Sequence, residues 1–295
     1  MFLETAGLAP ANDHAEFAFP RPDAGHPLAI PPRALLSLRE AGSMRYLRGE
    51  ANRLRESFFA SRSIGVSRVV ATELHHSRRL KIVETREIEL AAAGGSETDA
   101  TNLPGEDEGD GGPDGAEGRD GIVFLPPGPS TAAKGSHPSA AVLPSATFPV
   151  ATVTVADCMP IWLWDAASGA WGLLHSGWKG TGILEHAVRA VLSRRPGTAA
   201  SMSVILGPAI GVCCYDVPEA RAAAFEAEFG STCVDRSGPR PRLDIRAANL
   251  AIARRLGIGA LLSVDVCTSC HPSLGSFRRE GPESFTRMVA ACVPR

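Results

Sequence analysis

The chain has 295 residues, which is enough for one large domain or two ordinary ones and for a hydrophobic core. Its 30 basic and 32 acidic residues give a formal net charge of −2, which argues against general binding to nucleic acid or anionic membranes. The longest apolar runs fall far short of the ~20 residues that span a bilayer, and seven cysteines without a secretory signal are better interpreted as thiols than as disulfides. We therefore expect a cytoplasmic protein, monomeric or homodimeric, with no nucleic-acid or membrane partner.

Two segments of the chain are biased in composition. Residues 1–30 are rich in proline and predict an extended leader with one edge strand at 16–19. Residues 91–149 combine acidic residues, glycine and proline with few large apolar side chains, so we expect a mostly disordered surface insertion. A short strand is predicted within it at 120–124.

The other residues alternate between short strands and amphipathic helices. Strands are predicted at 69–72, 80–83, 150–155, 161–164, 171–174, 203–206 and 260–266. Helices are predicted at 47–59, after residue 182, between 218 and 230, and between 244 and 256. A hairpin joins the strands at 161–164 and 171–174. Hairpins mixed with strand-helix alternation predict an α+β fold, a mixed sheet flanked by helices.

Three histidines and one cysteine lie next to the ends of predicted strands. His75 and His76 lie between the strands at 69–72 and 80–83, Cys158 comes before a proline expected to end its strand, and His175 follows the strand at 171–174. Together His76, Cys158 and His175 supply the ligand set of a catalytic zinc site with an open fourth position. Separate structural roles, such as a buried thiol at Cys158, are the alternative.

Two further segments are suited to binding an anion. Residues 171–182 form a predicted strand, a turn with three glycines, and the start of a helix, with Lys179 in the turn. Arg278 and Arg279 lie in a segment of otherwise small residues and suit a phosphate or carboxylate. The alternatives are a common glycine-rich turn and a solvated turn.

Four other cysteines have suggestive spacings. Cys267, Cys270 and His271 match the C-x-x-C-H pattern for haem attachment, which we disfavour because that modification accompanies export and no signal peptide precedes it. A second zinc site formed by Cys213 and Cys214 with this pair is also disfavoured, because adjacent cysteines make poor paired chelators. We expect buried thiols near a sheet edge instead.

Three strings in the chain carry a family resemblance. TVADCMPI at 154–161, HSGWKG at 175–180 and GPAIGVCCYDV at 207–217 resemble the three hallmark motifs of the laccase-domain, YfiH-like family. This family comprises purine nucleoside phosphorylases formerly described as polyphenol oxidases or multicopper oxidases. The similarity continues at 120–121, 244–249, 267–268 and 276–279, and more loosely at 37–42 and 52–53.

The resemblance implies a single YfiH-like catalytic domain at 31–295 that holds one zinc ion (Zn2+) through His76, Cys158 and His175. It implies purine nucleoside and phosphate as substrates, with phosphorolysis of adenosine, inosine and methylthioadenosine and some adenosine deamination. Cys158 and His175 are then both metal ligands and catalytic residues. Copper, the older family label, is the less favoured metal, because a trinuclear copper cluster needs more imidazoles than this core supplies.

The sequence departs from the family pattern near the first ligand. Leu74 stands where the family usually has glutamine, and His76 is preferred to His75 because Ser77 follows it. Lys179 replaces the usual arginine, which keeps the charge but loses the bidentate fork.

A phosphate clamp and an acid/base group complete the expected site. Arg39, Lys179, Arg278 and Arg279 are the candidates for binding phosphate near the metal. Asp157 is expected to orient a histidine ligand or to act as acid or base, and a simple strand-end hydrogen bond is the alternative. The rival functions are a metal-free Cys/His hydrolase, a copper-dependent phenol oxidase and a binding protein without catalysis.

Overall fold

The computed structural model describes residues 2–22, 30–72, 74–84, 98–99, 106–108, 118–126 and 148–295. Its strands are β1 Phe2–Ala6, β2 His14–Phe17, β3 Arg33–Ser37, β4 Val69–Ala71, β5 Leu80–Glu84, β6 Thr98–Asp99, β7 Glu106–Glu108, β8 Gly121–Leu125, β9 Val150–Val155, β10 Met159–Asp165, β11 Trp171–Ser176, β12 Met202–Leu206, β13 Val234–Asp235, β14 Arg242–Leu243, β15 Ala260–Val264 and β16 Met288–Val293. Its α-helices are α1 Arg53–Ala60, α2 Ile183–Arg194, α3 Glu219–Phe229, α4 Ile245–Leu256 and α5 Phe277–Glu280.

Most of the strands form two mixed sheets. One sheet has eight strands in the order β1-β15-β12-β10-β11-β8-β5-β7, and the other has six in the order β2-β3-β16-β9-β4-β6. Strands β13 and β14 form a separate antiparallel pair. The α+β class with mixed sheets and flanking helices is therefore confirmed, but the strands divide between two sheets.

The side chains of β10 show how the layers are stacked. Successive strand residues point to opposite faces, so Ile161 and Leu163 pack against α2, α3 and α4, whereas Trp162 and Trp164 pack against the six-stranded sheet. A third cluster packs Phe58 and Phe59 of α1 on the outer face of the six-stranded sheet. The order of layers is thus helices, large sheet, small sheet, helix.

Two loops cross from the small sheet to the large one. Strands β4 and β9 are parallel neighbours in the six-stranded sheet, so their carboxyl ends lie at the same edge. Each is followed by a strand of the eight-stranded sheet, β5 and β10 respectively. The crossover loops that follow β4 and β9 therefore leave the small sheet side by side, and they carry His76 and Cys158.

Several sequence predictions are confirmed. The expected hairpin is the antiparallel pair β10 and β11. The edge strand predicted at 16–19 lies two residues earlier, as β2 at the edge of the small sheet, and the strand predicted at 120–124 is β8. The insertion predicted at 91–149 contains two more short strands, β6 and β7, which were not expected. Most of its other residues lie outside the described part of the chain.

Other predictions were wrong in position. The helix expected at 47–59 begins at Arg53, because the side chain of Asn52 caps it by accepting hydrogen bonds from the backbone N–H groups of Leu54 (3.1 Å) and Arg55 (3.2 Å). Pro160 does not end a strand but lies in β10, opposite His175. Strands β1, β3, β13, β14 and β16 and the short helix α5 were missed. Every residue of β16 is buried, so it lacks the polar alternation that reveals a strand.

None of the helices in the described ranges has the length and hydrophobicity to span a membrane.

Trp162 ties the two sheets together and provides a test of this packing. Its indole Nε1 donates a hydrogen bond of 2.9 Å to the carbonyl oxygen of Ala291 in the other sheet. The Nε1 of buried Trp171 makes no hydrogen bond within the described residues. We expect Trp162→Phe to lower the free energy of unfolding by about 1 kcal/mol more than Trp171→Phe, because only the former removes a buried hydrogen bond. Urea denaturation measures both, and equal losses would contradict this packing.

Candidate metal centre

Three side chains from separate elements converge where the crossover loops meet β11. His76 lies in the first crossover, Cys158 in the second, and His175 near the end of β11. Their ligand atoms all lie within 4.8 Å of one another. The two imidazole rings are 5.2 Å apart between centroids and nearly perpendicular. His175 is only 2% exposed, whereas His76 is exposed, so one side of the group is open to a ligand.

A buried carboxylate holds this group in place. Asp120 is fully buried, and its Oδ1 lies 3.0 Å from the Nδ1 of His175 and accepts a 3.0 Å hydrogen bond from the backbone N–H of His76. Its Oδ2 accepts hydrogen bonds of 2.6 Å from both the N–H and the hydroxyl of Ser77. A proton on Nδ1 of His175 leaves Nε2 with a lone pair, which is the form that ligates a metal.

The two crossover loops adopt unusual backbone conformations. His76 has φ of +55° and Asp157 has φ of +83°, a region that non-glycine residues rarely adopt. Both oxygens of Asp157 accept hydrogen bonds, from the hydroxyl of Thr268 (2.6 Å) and from the backbone N–H of Arg278 (2.7 Å). Backbone strain of this kind clusters at functional sites, where surrounding contacts maintain it. Asp157 therefore positions the Cys158 loop, while the carboxylate that contacts a histidine is Asp120.

Gly177 provides the space that the thiol needs. A Cβ atom added at this residue would lie 2.7 Å from the Sγ of Cys158 and 3.8 Å from the Cδ2 of His76. At the first distance the added atom would clash with the sulfur, so any side chain at this position would displace it. The close approach of the thiol therefore requires glycine at position 177.

The electrostatics of the group favour a thiolate. Burial opposes ionisation, but the neighbouring His175 outweighs it and lowers the pKa of Cys158 to about 6. Burial likewise opposes a charge on His175, yet Cys158 and Asp120 raise its pKa to about 10. Without a cation between them, the two side chains form a thiolate-imidazolium pair. The thiolate is also the form of cysteine that binds metal.

The donor set fits a zinc ion. Two imidazole nitrogens and one thiolate match the ligands of catalytic zinc sites, which keep a fourth position for water or substrate. The hydrogen bond from His175 to Asp120 is the arrangement that fixes a metal-binding imidazole in one orientation. His75 does not belong to this group: it packs against Gly118, where an added Cβ would lie 1.4 Å from its Cδ2.

A cavity of about 830 Å³ opens beside the three ligands. The cationic side chains that line it are Arg45, Lys179, Arg221, Arg278 and Arg287. The aromatic side chains that line it are Tyr46, Trp178, Tyr215, Phe277 and Phe285. Among the described lining residues one carboxylate is present, that of Asp157, and its two oxygens are already hydrogen-bonded. The cavity thus combines an excess of positive charge with flat apolar surfaces.

The expected phosphate-binding residues divide into two groups. Lys179 and Arg278 line the cavity, and Arg278 also donates hydrogen bonds to the carbonyl oxygens of Cys214 (2.9 Å) and Asp216 (3.0 Å). Arg39 does not line it, and its Nε lies 3.5 Å from Glu280 Oε1. The guanidinium of Arg279 is also directed elsewhere. Its acceptors are the carbonyl oxygens of Thr268, Ser269, His271 and Leu274 and the carboxylate of Glu280. The geometry therefore gives no support to a phosphate-binding role for Arg39 or Arg279.

Several site residues were not singled out from the sequence. Asp120 is the first residue of the strand predicted at 120–124 and directly precedes the observed strand β8, and an acid at a strand end is the signal that marks it. Tyr215 lies inside the third motif but was not assigned a role. Arg45 and Arg287 lie in segments without a motif, and only the fold brings them to the cavity.

Comparisons with known proteins agree with this architecture. A family model described as "Multi-copper polyphenol oxidoreductase laccase" matches residues 134–294, which is more than half of the chain. The crystal structure of YlmD from Geobacillus stearothermophilus is similar with a TM-score of 0.66 and 21% sequence identity, covering 94% of this chain and 96% of that one. This similarity concerns the fold.

Two curated relatives carry the names of enzymes. A mouse protein named "Purine nucleoside phosphorylase LACC1" is 36% identical over 129 residues, covering 41% of this chain and 30% of that protein. A protein named "Adenosine deaminase RL5", from an unknown prokaryotic organism, is 34% identical over 140 residues, covering 45% of this chain and 53% of that protein. The matches thus span less than a third of the mouse relative and about half of the prokaryotic one.

Changing one ligand at a time tests the metal centre. We expect His76→Ala, Cys158→Ser and His175→Ala each to lose one zinc ion per chain relative to the unchanged protein, because a three-ligand site that loses a ligand no longer retains the ion. His75→Ala is the matched control, since this neighbouring imidazole lies outside the group of ligand atoms. Metal content is measured by mass spectrometry of the purified proteins. Loss of zinc in His75→Ala but not in His76→Ala would show that His75, and not His76, is the ligand.

Proposed function

The chain belongs to the family described as "Multi-copper polyphenol oxidoreductase laccase", and from this premise we propose that it cleaves purine nucleosides with phosphate. The proposed reaction takes place beside a zinc centre formed by His76, Cys158 and His175. The observation that carries this proposal is the cationic and aromatic cavity directly next to the three ligands. The cationic side chains suit the anionic phosphate, and the aromatic side chains suit the flat purine of the nucleoside.

The chemistry of phosphorolysis explains why such a cavity is needed. The bond between C1′ of the ribose and the purine nitrogen breaks, and its electron pair leaves with the purine, which takes up a proton. A phosphate oxygen forms the new bond to C1′, so the products are the free purine and ribose 1-phosphate. Positive charge builds on the sugar while the phosphate approaches, so cationic groups must hold the phosphate in place.

Two pairs of cations are proposed to bind the phosphate. Lys179 and Arg278, the candidates from the sequence, line the cavity. Arg45 and Arg287 also line it, and the pKa of Arg287 is lowered by burial and by the like charge of Arg45. Two guanidinium groups that repel each other gain most from an anion bound between them.

The aromatic side chains provide surfaces for the purine. Trp178, Phe277 and Phe285 line the cavity and offer flat apolar faces to a heterocycle. Burial is the main cause that raises the pKa of Tyr215 to about 12, and the negative charge at Cys158 is the second cause. This phenol therefore keeps its proton at neutral pH. Tyr215 is therefore available to donate a hydrogen bond to the departing base.

Zinc suits this proposal better than copper. When bound, it supplies Lewis-acid polarisation of a substrate or water oxygen, and phosphorolysis involves no electron transfer. A trinuclear copper cluster of the laccase type requires more imidazoles than His75, His76 and His175, the histidines that line the cavity within the described residues.

Adenosine deamination is a second candidate activity. It is favoured by the relative named "Adenosine deaminase RL5" and by the exposure of His76, which leaves one side of the three-ligand group open to the water that a bound zinc ion would activate. A Cys/His hydrolase is the alternative favoured by the thiolate-imidazolium pair of Cys158 and His175. The three activities differ in their products and in their need for phosphate.

A nucleoside panel tests the proposed function. Adenosine, inosine and methylthioadenosine are incubated with zinc-loaded protein, with and without phosphate, and the products are separated by chromatography. We expect free purine and the sugar 1-phosphate only when phosphate is present: ribose 1-phosphate from adenosine and inosine, and 5-methylthioribose 1-phosphate from methylthioadenosine. If the protein also deaminates, inosine forms from adenosine regardless of phosphate. Lys179→Ala and Arg278→Ala should raise the KM for phosphate by ~10-fold or more, because each removes a charge-assisted contact.

The control for these variants is Arg189→Ala. This arginine is 74% exposed on α2 and pairs with Glu185, so its removal should leave the phosphate KM unchanged. Absence of phosphate-dependent cleavage for every nucleoside would contradict the proposal, and so would a phosphate KM that is the same in all three variants.

A further inference from the structure

A second group of metal-binding side chains lies outside the centre described above. Cys213 and Cys214 follow β12, and Cys267 and Cys270 follow β15. These strands are parallel neighbours, and the bridge between Ala209 and Cys267 continues their register beyond the strand ends. The two loops therefore leave the sheet side by side and bring the four thiols together.

The distances between the sulfurs match those around one metal ion. All four Sγ atoms lie within 4.8 Å of one another, and that of Cys270 is 3.7 Å from Cys213 and 3.4 Å from Cys214. A tetrahedral zinc ion with Zn–S bonds of about 2.3 Å holds its sulfurs about 3.8 Å apart. The cluster thus has the size of a tetrathiolate site without a change of the backbone.

The local backbone makes adjacent cysteines usable as ligands. Residues 211–215 form a turn in which the N–H groups of Cys214 and Tyr215 donate to the carbonyl oxygen of Gly211 (2.9 and 3.1 Å). Side chains of neighbouring residues alternate between opposite faces in an extended strand, but in this turn those of Cys213 and Cys214 both reach Cys270. The objection that adjacent cysteines chelate poorly therefore does not apply here.

Backbone N–H groups also support a thiolate in this cluster. Gly211 donates a 3.2 Å hydrogen bond to the Sγ of Cys267. The N–H groups of Cys270 and His271 donate to the carbonyl oxygen of Cys267 (3.2 and 3.0 Å), which folds the C-x-x-C segment into a tight turn. Hydrogen bonds of this kind orient metal ligands and stabilise their charge.

Exposure separates these thiols from structural core cysteines. Cys213 and Cys270 are exposed and Cys214 and Cys267 are half-buried, whereas Cys233 and Cys292 are buried. The expectation of buried thiols near a sheet edge was therefore wrong for this group. Exposed thiols gain nothing from packing, so their convergence needs another explanation.

We propose that Cys213, Cys214, Cys267 and Cys270 bind a structural zinc ion. Four thiolates close the coordination sphere, so the ion has no open position for substrate. It joins the loop that carries Tyr215, which lines the cavity, to the loop that carries Thr268, whose hydroxyl binds Asp157. The proposed ion therefore fixes these two loops relative to each other, and it shares no ligand with the group of His76, Cys158 and His175.

Zinc content distinguishes the two sites. Reduced protein is loaded with zinc, dialysed and analysed, and we expect two zinc ions per chain, one for each group of ligands. Cys270→Ser should remove one ion, Cys158→Ser the other, and the double variant both. Cys233→Ala is the control, since this buried thiol lies outside both groups. An unchanged zinc content in Cys270→Ser overturns the proposal, whereas an unchanged content in Cys158→Ser concerns only the other centre.

Alkylation of the unchanged protein gives a second measurement that does not depend on a variant. Cys213 and Cys270 are exposed, so as free thiols they react with iodoacetamide. In the presence of a reductant we expect peptide mapping to show them protected until a zinc chelator is added. Equal labelling with and without chelator overturns the proposal. Protection that only a reductant removes identifies a disulfide and overturns it as well.

Discussion

The buried carboxylate of Asp120 is the interaction on which the site depends. It has no exposed surface and accepts hydrogen bonds from His76, Ser77 and His175. Burial opposes its charge, but His175 and Ser77 outweigh burial and lower the pKa of Asp120. Because an unpaired buried carboxylate is costly, the three groups must remain around it. That requirement orients one imidazole and sets the left-handed backbone of the other.

The two sheets explain why the ligands come from distant parts of the chain. Parallel strands β4 and β9 direct two crossovers to the same edge, and β11 places His175 opposite Pro160, two residues after Cys158. On the other side of the Cys158 loop, Asp157 binds Thr268 and the backbone of Arg278. Asp157 thereby connects the Cys158 loop to the loop that carries Cys267 and Cys270 and to the start of α5, which carries Arg278.

Local patterns in the sequence predicted much of this structure. Asp244 and Gly257 mark the ends of α4, and the side chain of Asp244 accepts a hydrogen bond from the N–H of Ala247 as an N-cap should. The grouping of His76, Cys158 and His175 followed from strand ends and from the family resemblance. The division into two sheets could not be predicted, because strand pairing between distant segments has no local signal. For the same reason Asp120, Arg45 and Arg287 were not recognised as parts of one site.

The role of Asp120 is tested most directly by the zinc affinity of Asp120→Asn. Competition with a chromogenic chelator, in a Cys270→Ser background that leaves one site, measures the Kd of the His76 centre. We predict ~10–100-fold weaker binding, because the amide no longer holds the His175 imidazole in its metal-binding form. Asp165→Asn is the control, since this carboxylate is 4% exposed and binds Ser168 and Ser201 instead. A zinc affinity equal to that of the background protein, or one lowered to the same degree in Asp165→Asn, would contradict the account.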